Sequence, residues 1–255
     1  MLMKTCSRAV GAALLAVCQL ASADVAEVKI SNLSLSASGG EWWYWLPTEV
    51  GWLTPTAGTA AGLQDPSLAH DATGWHGNAL GSSVSDGVSQ ATASLSAKTS
   101  SDINGAGASA KVQVSNGQSG WAFAKVFEGQ IMVGGHATLT ASFALDSIFA
   151  SGAMSQANAY IQFCSTDFVT DTCSEANYAE AFVSGGSPGY SGPSILTASW
   201  TNPGETAWAK IQIGLTASAE SAVGSVPEPA TPALLLASMA GMALIARRRG
   251  ASRAS

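Results

Sequence analysis

The middle of this 255-residue chain alternates apolar and polar residues at every second position, and this pattern restricts its fold more than any other feature. In one run, Leu139, Ala141 and Phe143 alternate with threonine and serine. Successive side chains of a β-strand point to opposite faces, so a period of two is typical of a strand with one buried face. Similar runs place residues on one face at Trp121, Phe123, Lys125 and Phe127, at Ala157, Ala159, Ile161 and Phe163, and at Ala207, Ala209, Ile211, Ile213, Leu215 and Ala217.

Breaks rich in glycine and proline separate these runs, for example at residues 185–189 and 202–204. Many short strands joined by turns predict an all-β domain, an antiparallel β-sandwich or jelly roll, over residues 24–219. An early strand at 25–35 changes phase near Ser31 and Asn32, which predicts a β-bulge. The stretch 78–115, rich in small residues, predicts weakly specified strands or a mobile segment.

The net charge of the predicted domain limits the classes of partner that it can bind. Between Asp24 and Val226 there are 5 lysines, no arginine and 16 carboxylates, a net charge of −11. Such a domain repels phosphate backbones, so we expect no nucleic-acid partner.

The first 23 residues have the form of a signal peptide. Lys4 and Arg8 precede an apolar stretch at 9–20 that is too short to span a bilayer, and small residues follow it. We predict cleavage between Ala23 and Asp24. A lipoprotein signal at Cys18 is the alternative, but Val17 is bulky where such signals need a small residue.

The last residues carry the most specific motif. Pro227, Glu228 and Pro229 precede an apolar run at 230–246 and a basic cluster. The run is about 17 residues long, the lower limit for a transmembrane helix, and the positive-inside rule places the basic end in the cytoplasm. This basic cluster consists of Arg247, Arg248 and Arg249. One interpretation of these features is a permanent membrane anchor.

This order of features resembles the PEP-CTERM sorting domain over residues 227–255, with 220–226 as a linker. The resemblance implies that a membrane-embedded exosortase recognises Pro227, Glu228 and Pro229 and removes the tail. It implies a Gram-negative bacterial protein that contacts the membrane only through its C-terminal helix and is then released to the cell surface or secreted. It also implies a structural or adhesive role in an exopolysaccharide or biofilm matrix.

Cys164 and Cys173 are the only cysteines that remain after signal cleavage. In an oxidising compartment an isolated pair of this spacing predicts a disulfide, and no nearby histidine supports a thiol metal site.

A run of aromatic residues is the candidate ligand site. On a strand, Trp42 and Tyr44 point to one face and Trp43 and Trp45 to the other, with Trp52 close behind. Exposed rings can stack on the apolar faces of sugars, whereas a strand buried on both sides is the alternative. The segment therefore predicts either core or a platform for extracellular polysaccharide.

Metal and catalytic signals are weak. His70, Asp71 and His76 lie in a segment with loop-like composition, but their spacing matches no metal motif, so we assign no metal site. Several aspartates in loop-like settings suit a structural calcium ion, but no run has the spacing of a calcium-binding loop, so no cofactor is assigned. No catalytic motif is present, so we expect a protein that is not an enzyme, with a carbohydrate-binding module or a secreted hydrolase as alternatives. The aspartates that suit a calcium ion are Asp65, Asp86, Asp102, Asp167 and Asp171.

Overall fold

A computed structural model of the chain describes residues 23–39, 43–45, 56–64, 69–75, 79–96, 104–166, 173–187 and 189–222. All regular structure in these ranges is β-strand, and every paired strand runs antiparallel to its neighbour. The strands form two sheets, which confirms the predicted all-β, two-sheet antiparallel architecture.

The six-stranded sheet has the order β12-β9-β1-β7-β6-β5. Its strands are β1 (Asp24–Ser38), β5 (Leu80–Ser85), β6 (Gln90–Ser96), β7 (Gly107–Val114), β9 (Thr138–Ser151) and β12 (Ile195–Thr201). Residues 78–115, where the composition left strand and mobile segment open, therefore include three strands of this sheet.

The seven-stranded sheet has the order β11-β10-β13-β8-β3-β4, and β2 pairs with the other end of the long strand β8. Its strands are β2 (Trp43–Trp45), β3 (Thr56–Leu63), β4 (Ala69–Trp75), β8 (Ser119–Gly134), β10 (Gln156–Thr166), β11 (Cys173–Ser184) and β13 (Thr206–Glu220).

The predicted alternation sets the two inner faces. Leu139, Ala141 and Phe143 of β9 are buried, as are Ala157, Ala159, Ile161 and Phe163 of β10 and the run from Ala209 to Ala217 of β13. Alanine fills much of the core, and a few large side chains complete it. Burial of this apolar surface is the main favourable term for folding.

The β-bulge predicted in the first strand is present. The pairing of β1 with β9 shifts register between Ser31 and Ser34, and Asn32 has a φ of 53°. Asparagine tolerates this left-handed conformation better than most residues, so the local sequence suits the irregularity.

The prediction for β8 was wrong at one position. Trp121, Phe123 and Lys125 share the outer side, but Phe127 is completely buried. The pairing with β13 shifts register so that Gly214 opposes Lys125 while the preceding Ile213 opposes Phe127. The extra residue in β8 reverses the phase of the alternation, as a bulge does, and turns Phe127 into the core.

Candidate functional site

The outer side of the seven-stranded sheet gathers aromatic side chains from three strands. β8 contributes Trp121 and Phe123, β10 contributes Tyr160, and β11 contributes Tyr178 and Phe182. The solvent-exposed fractions are 44% for Trp121, 52% for Tyr178 and 48% for Phe182. We call these five residues the aromatic face. Large apolar side chains clustered on an outward surface are unusual and often mark a binding site.

Trp121 is held against the sheet by a glycine on the neighbouring strand. The register places Gly62 of β3 opposite Trp121. A Cβ atom at position 62 would lie 2.6 Å from Cε2 of the indole, so the ring covers the glycine backbone. The missing side chain thus provides a seat for the ring, and much of the indole surface is left open to solvent.

Tyr160 has a similar seat. It pairs with Gly214 of β13, and a Cβ atom there would lie 2.7 Å from the Tyr160 hydroxyl oxygen. Tyr178 stacks on Tyr160, with ring centroids 6.3 Å apart and an angle of 25° between the ring planes. Burial, together with the nearby Glu128 carboxylate, raises the pKa of Tyr160, and burial together with Glu180 raises that of Tyr178, so both phenols stay protonated donors.

A polar centre lies at one end of the aromatic face, at Glu128 of β8, in the same row of the sheet as Tyr178. Gln212 Nε2 donates a hydrogen bond of 2.8 Å to Glu128 Oε1, the ammonium of Lys125 binds Oε2, and Lys210 Nζ lies 3.9 Å from Oε1. Burial opposes ionisation of Glu128, but these partners outweigh it, so its pKa is lowered. A general acid needs a raised pKa, whereas an ionised carboxylate suits hydrogen bonds from hydroxyl groups.

The spacing of the two seated rings sets the size of ligand that can touch both. Trp121 pairs with Ser218 and Tyr160 with Gly214, so the rings lie four residues apart along β13 and two strands apart across the sheet. With standard strand dimensions this is roughly 15 Å. A ligand in contact with both rings is therefore extended, like a polymer chain.

A disulfide closes the hairpin that carries three of the five rings. Cys164 and Cys173 are bonded, as predicted, with Cα atoms 5.2 Å apart. In the ladder Cys173 pairs with Thr166, at the start of β11. The bond fixes the connection between β10 and β11, and so limits the movement of Tyr160 relative to Tyr178.

The aromatic segment singled out in the sequence belongs to the same sheet. Residues Trp43–Trp45 form β2, and Trp43, Tyr44 and Trp45 pair with Val133, Met132 and Ile131 of β8. Trp42 and Trp52 lie outside the described residues. The strand prediction is confirmed for three residues, and the choice between core and ligand platform stays a prediction.

The metal candidates are only partly described. His70 and Asp71 belong to β4, so the prediction of a loop was wrong there, and His76 lies outside the described residues. Asp86 Oδ1 accepts hydrogen bonds from the backbone N–H groups of Ser89 and Val88, at 2.6 and 2.8 Å. These two bonds, the one from Ser89 first, lower the pKa of the Asp86 carboxyl group. Asp65, Asp102, Asp167 and Asp171 are not described. Within the described ranges no three His, Cys, Asp or Glu side chains form a group able to hold a metal ion.

The predicted signal peptide and sorting domain lie almost wholly beyond the described part of the chain. Of the signal peptide only Ala23 is described, and Asp24 is the first residue of β1. The described residues contain no helix long and apolar enough to cross a bilayer. The undescribed residues include Pro227, Glu228, Pro229, Arg247, Arg248 and Arg249.

Inspection of the sequence did not single out the aromatic face. Its signal was nevertheless present: Trp121 and Phe123 share the phase of Lys125, and Tyr160 lies between Ala159 and Ile161, which take the apolar phase. An aromatic residue in the polar phase of an alternating strand points to an exposed ring.

Comparison with known proteins adds no further assignment. No protein-family model, curated protein or solved structure matches the chain.

Proposed function

We propose that this chain is an exported bacterial surface protein that binds an extracellular polysaccharide through its aromatic face, as a structural or adhesive component of the exopolysaccharide matrix. The observation that carries the proposal is the seating of Trp121 over Gly62, because the ring is held against the sheet while 44% of it stays exposed to solvent. A ring held against the backbone loses little further conformational freedom when a sugar stacks on it.

The polar groups support the same ligand class. Glu128 and Gln212 lie in the row of Tyr178, and Lys125 lies in the row of Tyr160. Sugars present hydroxyl groups at the edges of their rings, so a surface that combines aromatic faces with fixed hydrogen-bonding groups suits them. The ionised Glu128 supports binding rather than acid catalysis.

Export and sorting complete the proposal. The resemblance of residues 227–255 to a PEP-CTERM domain supports processing by an exosortase. The start of β1 at Asp24 fits signal cleavage after Ala23, and a disulfide suits an oxidising compartment. Mass spectrometry of the surface-bound protein should find a chain that begins at Asp24 and lacks residues 247–255, and an intact C-terminus would contradict the sorting proposal.

A second location for the platform is the segment from Trp42 to Trp52. Tyr44 pairs with Met132, and Met132 pairs with Trp208 of β13, so the described part of this segment, Trp43–Trp45, belongs to the same sheet that carries the aromatic face. A Trp43→Ala, Trp45→Ala double variant tests whether it contributes to binding.

The decisive experiment measures binding to the exopolysaccharide of the producing bacterium. Trp121→Ala should weaken binding roughly five-fold, since one aromatic contact contributes about 1 kcal/mol. The matched control is Phe149→Ala, which removes a ring that is 52% exposed on the other sheet. Both variants should keep the melting temperature of the wild type. Unchanged binding by Trp121→Ala, or equal weakening by Phe149→Ala, would refute the proposal.

A further inference from the structure

The outer side of the six-stranded sheet contains an open cavity with polar side chains at its walls, and the proposed function does not use it. It has a volume of about 290 Å³ and lies where β9, β1, β7 and β6 meet beside the bulge of β1. This volume is close to the lower limit of small-molecule sites. The polar side chains that line it are Lys29, Ser31, Ser94, Ser96, Ser109 and Asp146.

The floor of the cavity is Gly107. A Cβ atom at this position would lie 3.0 Å from the Ile30 carbonyl oxygen and 3.1 Å from Ser96 Oγ. A larger residue would therefore both crowd β1 and occupy the space. The concave shape depends on the absence of a side chain here.

Hydrogen bonds fix the walls in place. Ser31 Oγ donates to Asp146 Oδ1 at 2.6 Å, the hydroxyls of Ser94 and Ser109 are 2.8 Å apart, and Gly107 N donates to Ser96 Oγ at 3.0 Å. Groups whose orientation is already set lose less entropy when they bind a ligand.

The chemistry of the walls matches a hydroxyl-rich ligand. Each serine hydroxyl can donate and accept a hydrogen bond, Asp146 accepts, and Lys29 donates. Lys29 has no ion pair within the described part of the chain, so its ammonium is available. Charge-assisted hydrogen bonds are the stronger ones, and a sugar ring offers both donors and acceptors for them.

We infer that this cavity is a second carbohydrate site, which takes one sugar unit by its hydroxyl groups, so that a single molecule bridges two polysaccharide chains. The two sites lie on the outer sides of opposite sheets and therefore open in different directions. The inference rests on the proposed function, because the aromatic face supplies the first of the two attachments. Two attachments on one molecule turn a binder into a cross-linker.

The test compares binding with cross-linking, using protein purified from the surface of the producing bacterium and that bacterium's exopolysaccharide. The wild type should raise the viscosity of a dilute polysaccharide solution. Ser94→Tyr fills the cavity and should abolish this rise while binding through the aromatic face falls less than two-fold. The matched control is Thr197→Tyr, at an exposed position of β12 outside the cavity, which should cross-link like the wild type.

A second variant guards against misfolding. Asp146→Asn keeps the shape of the cavity but removes its carboxylate, so it should reduce cross-linking at an unchanged melting temperature. Full cross-linking by both Ser94→Tyr and Asp146→Asn would overturn the inference while the proposed function stands. If instead Trp121→Ala binds like the wild type, the proposed function fails, and the cavity is supported only if Ser94→Tyr then removes the remaining binding.

Discussion

The two outer faces of this sandwich use the same alternating backbone but carry different side chains. The aromatic face has large rings beside a partly buried ion pair. On the six-stranded sheet, three outward rows across β1, β9 and β12 consist entirely of hydroxyl residues, and we call these rows the hydroxyl face. Its three rows are Ser38, Thr138 and Thr201; Ser36, Thr140 and Ser199; and Ser34, Ser142 and Thr197.

An antiparallel sheet with one face on the core needs only polar side chains on its solvent-exposed face, and the hydroxyl face has this composition. The aromatic face departs from that minimum, although both sheets cover the same alanine-rich core. Core packing therefore does not account for the outward rings. The difference supports the proposal that the aromatic face contacts another molecule.

The largest effect should come from the disulfide. It joins two strands of the sheet that carries the aromatic face, and the described residues of the other sheet contain no disulfide. A Cys164→Ala, Cys173→Ala double variant should lose about 2.5 kcal/mol of stability, the chain-entropy estimate for a loop of this length. Hydrogen exchange should accelerate in β10 and β11 more than in β5 and β6. The cysteine-free variant should be insensitive to reducing agents, whereas the wild type should melt earlier in their presence. An unchanged melting temperature on reduction would contradict this.

A smaller effect should come from changing Gly62, the glycine beneath Trp121, while the tryptophan itself is kept. Gly62→Ala places a methyl group where the indole lies, so the ring must move away from the sheet. We expect polysaccharide binding to weaken roughly three-fold, with a stability change below about 1 kcal/mol. Gly81→Ala on β5 is the matched control, because a Cβ there has only the Ala93 carbonyl oxygen near it, at 3.9 Å. Equal binding by the two variants would show that the seat has no role.

The smallest effect concerns pH. The folded-state pKa of Glu128 lies below the ordinary value of 4.5, so its ionised form is favoured by folding. Its contribution to stability is therefore present above pH 4.5 and lost as the pH falls through the lower folded-state value. The melting temperatures of wild type and Glu128→Gln should differ at pH 7 and converge as the pH falls through the lowered folded-state pKa of Glu128. A difference that persists at low pH would mean that the charge is not the cause.

The sequence was sufficient to predict β1, β8, β9, β10 and β13 and the bulge at Ser31, because each depends on local alternation and local backbone preference. It left residues 78–115 open between strand and mobile segment, and it placed His70 and Asp71 in a loop although they belong to β4. It could not predict the burial of Phe127, which follows from a register shift against β13. Alternation shows which residues share a side of one strand. It does not show where a partner strand forces an extra residue.

The aromatic face was missed for a related reason. The sequence drew attention to the contiguous run at Trp43 and Tyr44, whereas Trp121 lies on β8 and Tyr160 and Tyr178 lie on the hairpin of β10 and β11. Only the insertion of β13 between β8 and β10 places Trp121 on the same face as the two tyrosines. The two glycine seats likewise depend on pairings between distant strands, between β3 and β8 and between β10 and β13.

The positions of the first and last strands have a consequence for how the protein is assembled. β1 lies between β7 and β9, with Val25 opposite Gln113 on one side and Ser151 on the other. β13 lies between β8 and β10 in the other sheet. A chain exported from its N-terminus must therefore keep β1 unpaired until distant segments have crossed, and the seven-stranded sheet is complete only when β13 arrives.

Such long-range pairing makes folding slow and leaves strand edges exposed in the meantime. Strand-by-strand folding during translocation is not compatible with this topology. In a chain exported as proposed, the domain would therefore close late, because the seven-stranded sheet is complete only after β13 has crossed the membrane.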